Sequence, residues 1–488
     1  MNYIHISITL LFVICCSLLS GKDQKPNVIF ILTDDMGWGD LSSEGHPYLK
    51  TPNLDRIASE GTVFEQFYSQ SAVCSPSRTA FVTSHFPQRH RVFGHFSTTE
   101  ENKARGMPDF LDPEAVGLPN MMKAAGYRTI HIGKWHLAQV APENFESIEG
   151  KPPRINIDDY GFDVFMDRFH FQDMLELVSN AVGSNDKNYY RAHSTGLYVQ
   201  QAIRELQRNP EVPKFINLWT LVPHATLKPT PEELAVYDDL DSISPEDFPE
   251  PMRTYVADAE NPLDQMKVYC AAMTGLDRQI GVLLESLEER GLMDNTILIF
   301  CSDNGPEDYH IRGAANAGMG STNNLVGRKR SNHEGGVRTP LIVWWPGKVP
   351  AGKRNTGSVI AGVDLVPTLA SLVDVPLPEN LASDGEDVSD ILLGADRKTT
   401  RPLYWETTYT MIGDPIHGSP RFAIRDGDWK FYMDLTGNRK ELYNLIPDPS
   451  ESNNLTDARP DVANSLEQKL ESWNQSLPER PMDPLESK

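Results

Sequence analysis

The apolar and polar positions of this chain alternate in long blocks that predict an α/β fold. Unbroken apolar runs occur at 27–35, 127–136, 215–224, 296–305 and 340–347. Runs of this kind are typical of strands that are buried on both faces of a parallel sheet. Helical spacing with cap signals predicts helices at 51–61, 119–126, 265–291 and 364–373. The alternation indicates a large, mostly parallel central sheet flanked by helices.

After about Ala395 the pattern changes to short runs separated by turns, followed by a helix near Asp461 to Trp473. This pattern predicts a small antiparallel sheet packed with a helix. We therefore divide the chain into a leader at 1–20, a large α/β domain at 21–395 and a C-terminal subdomain at 396–488. The stretch 226–264 is rich in Pro, Asp and Glu, and we expect a long surface excursion there.

The first residues are typical of a secretory signal peptide. The apolar run from Ile6 to Leu19 is too short for a membrane span, and small residues follow it at Ser20 and Gly21. Lipid attachment at Cys15 or Cys16 is a weaker alternative, because bulky residues precede Cys15. We expect an exported protein, periplasmic or secreted, without stable membrane insertion.

Charge and cysteine content exclude some classes of protein. The net charge of −23 argues against nucleic-acid binding, although one pocket can still be basic. Of five cysteines, two leave with the leader, and the remaining three do not make a disulfide framework. Cys270 and Cys301 lie in apolar contexts that favour buried thiols, and a bridge between them is the open alternative.

Polar residues with useful chemistry follow the predicted strands. They are Asp34 and Asp35 after the first strand, Lys134 and His136 after the second, His224 after the third, and Asp303 and Asn304 after the fourth. Each taken singly is a common turn or structural residue. In open α/β sheets, however, ligands bind beyond the carboxyl ends of the strands, and four such ends favour one site.

This set divides into two chemistries. The carboxylate and amide oxygens are hard ligands that suit Ca²⁺ or Mg²⁺ better than Zn²⁺. The other members, joined by Arg78 and Lys329, carry positive charge or a transferable proton. His224, near its reference pKa of about 6.5, could donate a proton at neutral pH. A divalent ion beside such a cluster suits an oxyanion substrate.

One further stretch, "AVCSPSRTAF" at 72–81, places a thiol at the start of a predicted helix. Pro76 suits the first helical turn, and Arg78 follows Cys74 by one turn. Anions are stabilised at such a position. Taken alone, this pattern fits a reactive cysteine and an ordinary buried cysteine about equally.

Together these segments resemble the type I, formylglycine-dependent sulfatases of the alkaline phosphatase-like superfamily. "CSPSR" matches the Cys-x-Pro-x-Arg maturation signature. "NVIFILTDDMGWGDL", "GYRTIHIGKWHL", "LVPHATLKP", "SDNG" and "GRKRSNHEGGVRTP" match further family blocks in order, as do the closing segments "AIRDGDWKFY" and "ELYNLIPDPSESNNL". The likeness extends over nearly the whole mature chain.

The resemblance implies that a formylglycine-generating maturation enzyme oxidises Cys74 to Cα-formylglycine (3-oxoalanine). One hydroxyl of the aldehyde hydrate attacks sulfur and releases the alcohol. The second hydroxyl then loses its proton, so that sulfate leaves and the aldehyde returns. An ordinary serine or thiol lacks this second hydroxyl and would remain sulfated.

The resemblance also implies residue roles. Asp34, Asp35, Asp303 and Asn304, with modified Cys74, resemble the ligands of one Ca²⁺. Arg78 and His136 resemble the residues that hold and activate the hydrate. Lys134, His224 and Lys329 resemble the sulfate-binding group, with His224 also placed to protonate the leaving oxygen. Lys329 is chosen by its spacing to Glu334, and we expect Arg328 and Arg330 to form a solvated basic surface.

Two departures from the family pattern bear on the substrate: Ser84 to Pro87 replace a common Gly-Arg-Tyr-Pro, and His333 stands where an aromatic is frequent. The segment 85–105 gathers basic residues, among them His85, Arg89 and His95, in an acidic protein. Such a strip could steer a polyanion, or it could pair with nearby acids. Phe86, Phe93 and Phe96 could offer faces to sugar rings.

We therefore expect a sulfatase that acts on a sulfated saccharide, such as one derived from an algal galactan, with His85, Arg89, His95 and His333 as candidate substrate contacts. Two alternatives remain at this point. One is a phosphodiester or phosphonate monoester hydrolase of the same superfamily. The other is a non-catalytic protein that binds sulfated glycans.

Overall fold

The computed structural model describes residues 24–479, apart from 116, 139–156, 168–188, 309–313, 379–380 and 409–417. The predicted leader therefore lies outside the described residues. Among the described helices, none has both the length and the apolar composition that crossing a bilayer requires.

The strands, numbered in chain order, are β1 Asn27–Asp34, β2 Thr62–Phe64, β3 Phe67–Tyr68, β4 Arg128–Gly133, β5 Val164–Asp167, β6 Lys214–Pro223, β7 Thr296–Ser302, β8 Leu341–Trp344, β9 Lys353–Asn355, β10 Ile360–Ala361, β11 Leu403–Glu406, β12 Phe422–Asp426, β13 Trp429–Met433 and β14 Lys440–Asn444. All five strands predicted from apolar runs are present, as β1, β4, β6, β7 and β8.

The helices are α1 Pro52–Glu60, α2 Cys74–Thr83, α3 Thr99–Ala104, α4 Leu118–Ala124, α5 Tyr189–Gln207, α6 Pro231–Ala235, α7 Glu250–Ala257, α8 Pro262–Glu289, α9 Glu334–Val337, α10 Leu365–Leu372, α11 Ser389–Leu392 and α12 Pro460–Gln475. The four predicted helices correspond to α1, α4, α8 and α10. The predicted closing helix corresponds to α12.

The central sheet has eight strands in the order β5-β4-β6-β1-β7-β8-β2-β9. The five strands from β5 to β7 are parallel to one another, and β8 runs antiparallel between β7 and β2. The prediction of a mostly parallel sheet flanked by helices is confirmed. Because β1 lies between β6 and β7, the carboxyl ends of these three strands meet at one edge.

Both faces of this sheet are buried, as the unbroken apolar runs predict. On β1, Ile29 and Ile31 pack into one core with α8, whereas Val28, Phe30 and Leu32 pack into a second core on the opposite face. All five side chains are fully buried. Burying them contributes about 1.5–3 kcal/mol each, so β1 is a rigid base for the residues that follow it.

Much of the stretch 226–264 lies at the surface, as expected, but the stretch also contains regular helices. It forms α6, a short 3-10 turn and α7, and it buries Tyr237, Phe248 and Met252 in the core beside α8. Several of its prolines and acidic residues lie in the first turns of these helices. At α6, the Thr230 and Glu233 side chains form a capping box, and Pro231 opens the helix.

The C-terminal sheet is antiparallel in the order β11-β12-β13-β14 and is packed with α12, as predicted. A buried ion cluster joins it to the segment before β8. Lys430 Nζ on β13 donates to Glu334 Oε1 at 2.7 Å, and Tyr68 Oη donates to Glu334 Oε2 at 2.6 Å. Because both partners are fully buried, removing either one alone would cost several kcal/mol.

Cys74, Cys270 and Cys301 are buried and carry free thiols. The open alternative of a bridge between Cys270 and Cys301 is therefore wrong. Cys270 lies within α8 and Cys301 within β7, and both are fully buried, which is the usual environment of a structural cysteine.

Candidate active site

The acidic part of the site stands on two neighbouring strands. β1 and β7 pair in register up to Thr33 and Ser302, so Asp34, Asp35, Asp303 and Asn304 emerge side by side. Asp35 adopts a left-handed backbone conformation with φ 72°, which is rare for a residue other than glycine and turns the chain sharply after the strand. All four side chains are buried.

Cys74 begins α2, as the sequence predicts, and its side chain faces this acidic cluster. One oxygen each of Asp34 and Asp303 lies with Cys74 Sγ in a group whose atoms are within 4.8 Å of one another. Cys74 is only 2% exposed. Burial raises the pKa of its thiol, although Lys134 and Lys329 oppose the shift. The helix N-terminus therefore does not make this cysteine a ready thiolate.

His136 is held against Cys74 by the backbone. Its Nδ1 lies 3.3 Å from Cys74 Sγ, and its carbonyl oxygen accepts a 2.7 Å hydrogen bond from Ser75 Oγ. The residue has a left-handed φ of 58°. Such a conformation persists only where the surroundings enforce it, and it is common at functional sites. The arrangement keeps an imidazole nitrogen beside the Cys74 side chain.

Three cations pair with three carboxylates in this cluster. Lys134 Nζ contacts both oxygens of Asp34 at 2.8 and 2.6 Å, and Lys329 Nζ lies 2.5 Å from Asp35 Oδ2. The third pair joins Arg78 to Asp303, whose Oδ2 accepts from Nε at 2.9 Å and from an Nη at 2.7 Å. Arg78 is fully buried, and its guanidinium lies over the ring of Trp219.

The carboxylates respond differently to this environment. Burial alone would raise the pKa of Asp34, but Lys134, His224 and Arg78 outweigh it and hold that pKa well below its ordinary value. Burial raises the pKa of Asp303 to about 7; Arg78 opposes the shift, whereas Asp34 adds to it. Burial therefore outweighs the neighbouring cations at Asp303, whereas the cations outweigh burial at Asp34.

The residues present fit a hard divalent cation. Asn304 donates from its amide nitrogen to Asp35 Oδ1 at 2.8 Å, and its Oδ1 is buried without a hydrogen-bond partner in the described structure. A buried amide oxygen with no partner is costly, and a cation supplies one. Three carboxylates and an amide oxygen are the ligand types that Ca²⁺ prefers. The buried acidic cluster can thus hold a metal ion.

His224 follows β6 and faces the same cluster. Its Nε2 lies 3.8 Å from Asp35 Oδ2, and its Nδ1 lies 2.6 Å from the carbonyl oxygen of Ala225. Burial lowers the pKa of His224 to about 4, with Lys329 adding to the shift. The expectation of a pKa near its reference value is therefore wrong for the ligand-free site, because it took no account of desolvation.

Two arginines beside Lys329 are not a solvated basic surface, so that expectation is wrong. Arg328 is 1% exposed and donates to the carbonyls of Glu307, Gly318 and Gly320. Arg330 is paired with Glu307 and Asp308. Glu307, which also lies 3.6 Å from Lys329 Nζ, was missed from the sequence, because the only available signal was its place three residues after Asn304.

Most of the basic strip at 85–105 is engaged with the protein itself. Arg89 Nε and an Nη donate to the two oxygens of Asp384 at 2.7 and 2.6 Å, and His85 Nδ1 lies 3.0 Å from His90 Nε2. Arg89 and one nitrogen of His85 thus have partners within the protein, and substrate contacts at these two residues stay a prediction.

The aromatic residues of the strip are unavailable to a sugar. Phe86, Phe93 and Phe96 are 3–4% exposed and pack in the hydrophobic cores, so the expectation of open aromatic faces is wrong. The sequence pattern did not reveal that these three residues pack into the cores and hold the segment against the rest of the protein.

The two remaining candidate contacts differ in position. His95 lies beside the site, with its ring centroid 5.9 Å from that of His136, and burial lowers its pKa to about 3. His333 is 5% exposed and its Nε2 lies 3.1 Å from Glu441 Oε2 on β14. The ring of His333 thus contacts the C-terminal sheet, and a substrate contact at this residue stays a prediction.

Comparison with known proteins agrees with this geometry. The Sulfatase family model matches residues 26–375, and the model described as N-sulphoglucosamine sulphohydrolase, C-terminal, matches residues 327–476. An N-acetylgalactosamine-6-sulfatase from Canis lupus familiaris is 31% identical over 416 residues, which cover 80% of this chain and 70% of that protein.

Two solved structures share the fold. Ps i-CgsB in complex with k-i-k-neocarrahexaose has a TM-score of 0.69 at 24% identity, covering 92% of this chain and 93% of that one. The phosphonate monoester hydrolase of Agrobacterium radiobacter has a TM-score of 0.69 at 20% identity, covering 92% and 96%. At this level of identity, each likeness concerns the fold alone.

The family match extends over more than half of the chain and includes the residues gathered around Cys74. It decides against the alternative of a non-catalytic glycan-binding protein. The chain belongs to the sulfatase family and is a sulfuric ester hydrolase.

Proposed function

We propose that this protein removes sulfate from a sulfated saccharide, using formylglycine derived from Cys74 and one Ca²⁺ held by Asp34, Asp35, Asp303 and Asn304. The observation that carries the proposal is the convergence of three carboxylates, two lysines and two histidines on the Cys74 side chain. A site of this composition suits an ester that bears negative charge and whose alcohol must be protonated as it leaves.

When bound, Ca²⁺ polarises the ester oxygens, and the formylglycine hydrate supplies the nucleophile. The chain's own residues do the remaining work. Lys134 and Lys329, which pair with Asp34 and Asp35, would hold the sulfate oxygens through their ammonium groups. His136 positions the residue-74 side chain, and Arg78 holds the Asp303 carboxylate that lies near it. His224 donates a proton to the departing oxygen.

The saccharide assignment rests on likeness and on the expected export. Relatives include N-acetylgalactosamine-6-sulfatases, and a similar fold has been solved with k-i-k-neocarrahexaose. A sulfated polysaccharide such as an algal galactan is a substrate that an exported enzyme meets outside the cell. The test is a sulfate-release screen over defined sulfated saccharides, with the position of desulfation read by NMR. Phosphodiesters and phosphonate monoesters belong in the same screen, and faster turnover of these would overturn the proposal.

His224→Ala should slow hydrolysis of sugar sulfates by about 10²–10⁴-fold, because a sugar alkoxide leaves poorly without a proton. Activated aryl sulfates leave as stable phenolates and should lose far less. The bound sulfate adds negative charge beside His224, which raises its pKa from the value of about 4 in the ligand-free site. Steady-state kinetics on both substrates check this expectation, and equal losses on the two would reject the general-acid role.

Calcium affinity should rise with pH across the neutral range. Burial raises the pKa of Asp303 to about 7, so below that pH its carboxyl carries a proton that a metal must displace. Above it the carboxylate is already charged. Calorimetry between about pH 6 and 8 should show affinity rising by at most tenfold per unit, as expected for one released proton. Affinity that does not depend on pH would contradict the ligand role of Asp303.

A further inference from the structure

A cavity of about 260 Å³ opens beside His224. Its walls come from the end of β6, the loop after it, the first turns of α5, and the middle of α8. The volume is below that of pockets for drug-sized ligands, which span about 300–1,000 Å³, and suits a small ligand. His224 belongs both to this wall and to the acidic cluster, so the cavity adjoins the place where the ester oxygen must lie.

Two cations line this cavity and differ in how they are held. Arg278 on α8 donates from an Nη to Glu233 Oε1 at 2.9 Å, and its side chain remains 54% exposed. Since a guanidinium has five N–H donors, most of them remain for a ligand. Lys228, four residues after His224, is exposed and has no ion-pair partner among the residues that the structure describes.

The anchoring of Arg278 is built into the helix. Gly275 lies in the interior of α8, where glycine costs about 0.5–1 kcal/mol relative to alanine. A Cβ at this position would overlap the Glu233 carboxylate. Glycine therefore lets Glu233 lie against the helix, where it caps α6 and fixes Arg278 at the cavity wall.

The acidic groups on the same wall already form hydrogen bonds within the protein. Glu233 is occupied by its capping bonds and by Arg278. Glu232, in the first turn of α6, accepts hydrogen bonds from its own backbone N–H and from the Thr230 side chain, which lower its pKa. Lys228 and Arg278 thus line the same cavity, the first without an ion-pair partner among the described residues and the second anchored by Glu233, and their N–H donors suit an anionic group of the ligand.

We infer that this cavity receives the sugar ring that bears the scissile sulfate, and that Lys228 and Arg278 recognise a second anionic substituent on that ring, a carboxylate or another sulfate. The inference rests on the proposed function, since it places the leaving group beside His224. It makes Lys228 and Arg278 specificity-determining residues: they select which sulfated sugar is accepted and take no part in bond cleavage.

The experiment measures binding separately from turnover. Calorimetry is carried out with calcium-loaded Cys74→Ala protein, which cannot consume the ligands. Two matched pairs are compared: galactose 2-sulfate with galacturonate 2-sulfate, and N-acetylgalactosamine 6-sulfate with its 4,6-disulfate. The first pair reports an added carboxylate and the second an added sulfate. We expect the more anionic member of at least one pair to bind about tenfold or more tightly, as a charged hydrogen bond provides.

Lys228→Gln and Arg278→Gln, each added to that background, should reduce the preference at least several-fold, because glutamine keeps a donor but not the charge. Lys348→Gln and Arg208→Gln are the matched controls. Lys348 is exposed, and Arg208 is 60% exposed and paired with Glu205 just beyond the far end of α5. These controls should keep the preference.

Equal binding within both pairs, including binding too weak to detect, overturns the inference, as does a preference that survives both glutamine variants. A separate sulfate-release assay on the wild-type enzyme keeps the two proposals apart. Lack of sulfate release together with an intact, charge-dependent binding preference would reject the proposed function and leave the cavity assignment standing. Sulfate release without the binding preference would reject the cavity assignment and leave the proposed function standing.

Discussion

Cys74→Ala and Cys74→Ser should each lower sulfate-ester hydrolysis by about 10⁴-fold or more, the scale of loss when a nucleophile is removed. Serine keeps one hydroxyl, but it cannot form the hydrate that expels sulfate, so it should not rescue turnover. Because the side chain is small and buried, the alanine change should cost only about 1 kcal/mol of folding free energy. Kinetics with thermal unfolding in parallel separate the two effects.

The control for this prediction is Cys270→Ala. Cys270 is also a buried free thiol, but it lies within α8 and outside the site, so its replacement should leave turnover near that of the wild type. Mass spectrometry of the peptide that contains Cys74 should find an aldehyde that hydrazide reagents trap. Full activity in a preparation that carries only unmodified thiol at position 74 would contradict the mechanism.

Asp303→Ala should remove the metal and lower turnover by about 10³-fold or more, since the metal's charge stabilisation is worth several kcal/mol. The same change leaves Arg78 fully buried without its two-pronged partner, which should destabilise the fold by about 3–5 kcal/mol. Asp303→Asn keeps an oxygen acceptor for Arg78, so it should be more stable while still binding metal weakly. Elemental analysis and kinetics on both variants check these expectations.

The matched control is Asp364→Ala. Asp364 is also a fully buried carboxylate paired with an arginine, Arg401, but it lies outside the site. This variant should be destabilised like Asp303→Ala, yet it should retain its metal content and, below its unfolding temperature, its turnover. Undiminished activity of Asp303→Ala after exhaustive chelation would rule out the metal site.

The spatial grouping of the candidate site residues could be predicted because short-range rules determine it. An unbroken apolar run such as β1 is stable only when buried on both faces, and the residue after it must then lie at the sheet edge. Asp34 and Asp303 could therefore be placed together without knowledge of the pairing of β1 and β7. The helix start at Cys74 followed equally from Pro76 and the apolar residues behind it.

The sequence could not reveal side-chain partners that lie far away in the chain. Arg89 binds Asp384, His333 binds Glu441, and both pairs depend on how distant segments pack. Nothing local to Arg89 distinguishes an arginine that meets a substrate from one that holds a loop. The pKa of His224 was misjudged for a related reason: desolvation depends on everything packed around the ring, and no neighbour in sequence reports it.

The buried ion cluster around Glu334 affects when the folding of the enzyme is completed during synthesis. Glu334 follows Lys329 by five residues, and its closest cation, Lys430, lies 96 residues further along the chain. Until the ribosome has made β13, the segment that carries Lys329 lacks the charge that holds it in place. We therefore expect the segments around Cys74 to pack late. The Cys74 thiol is only 2% exposed in the folded protein, but it should be accessible to a modifying enzyme while the chain is still being made.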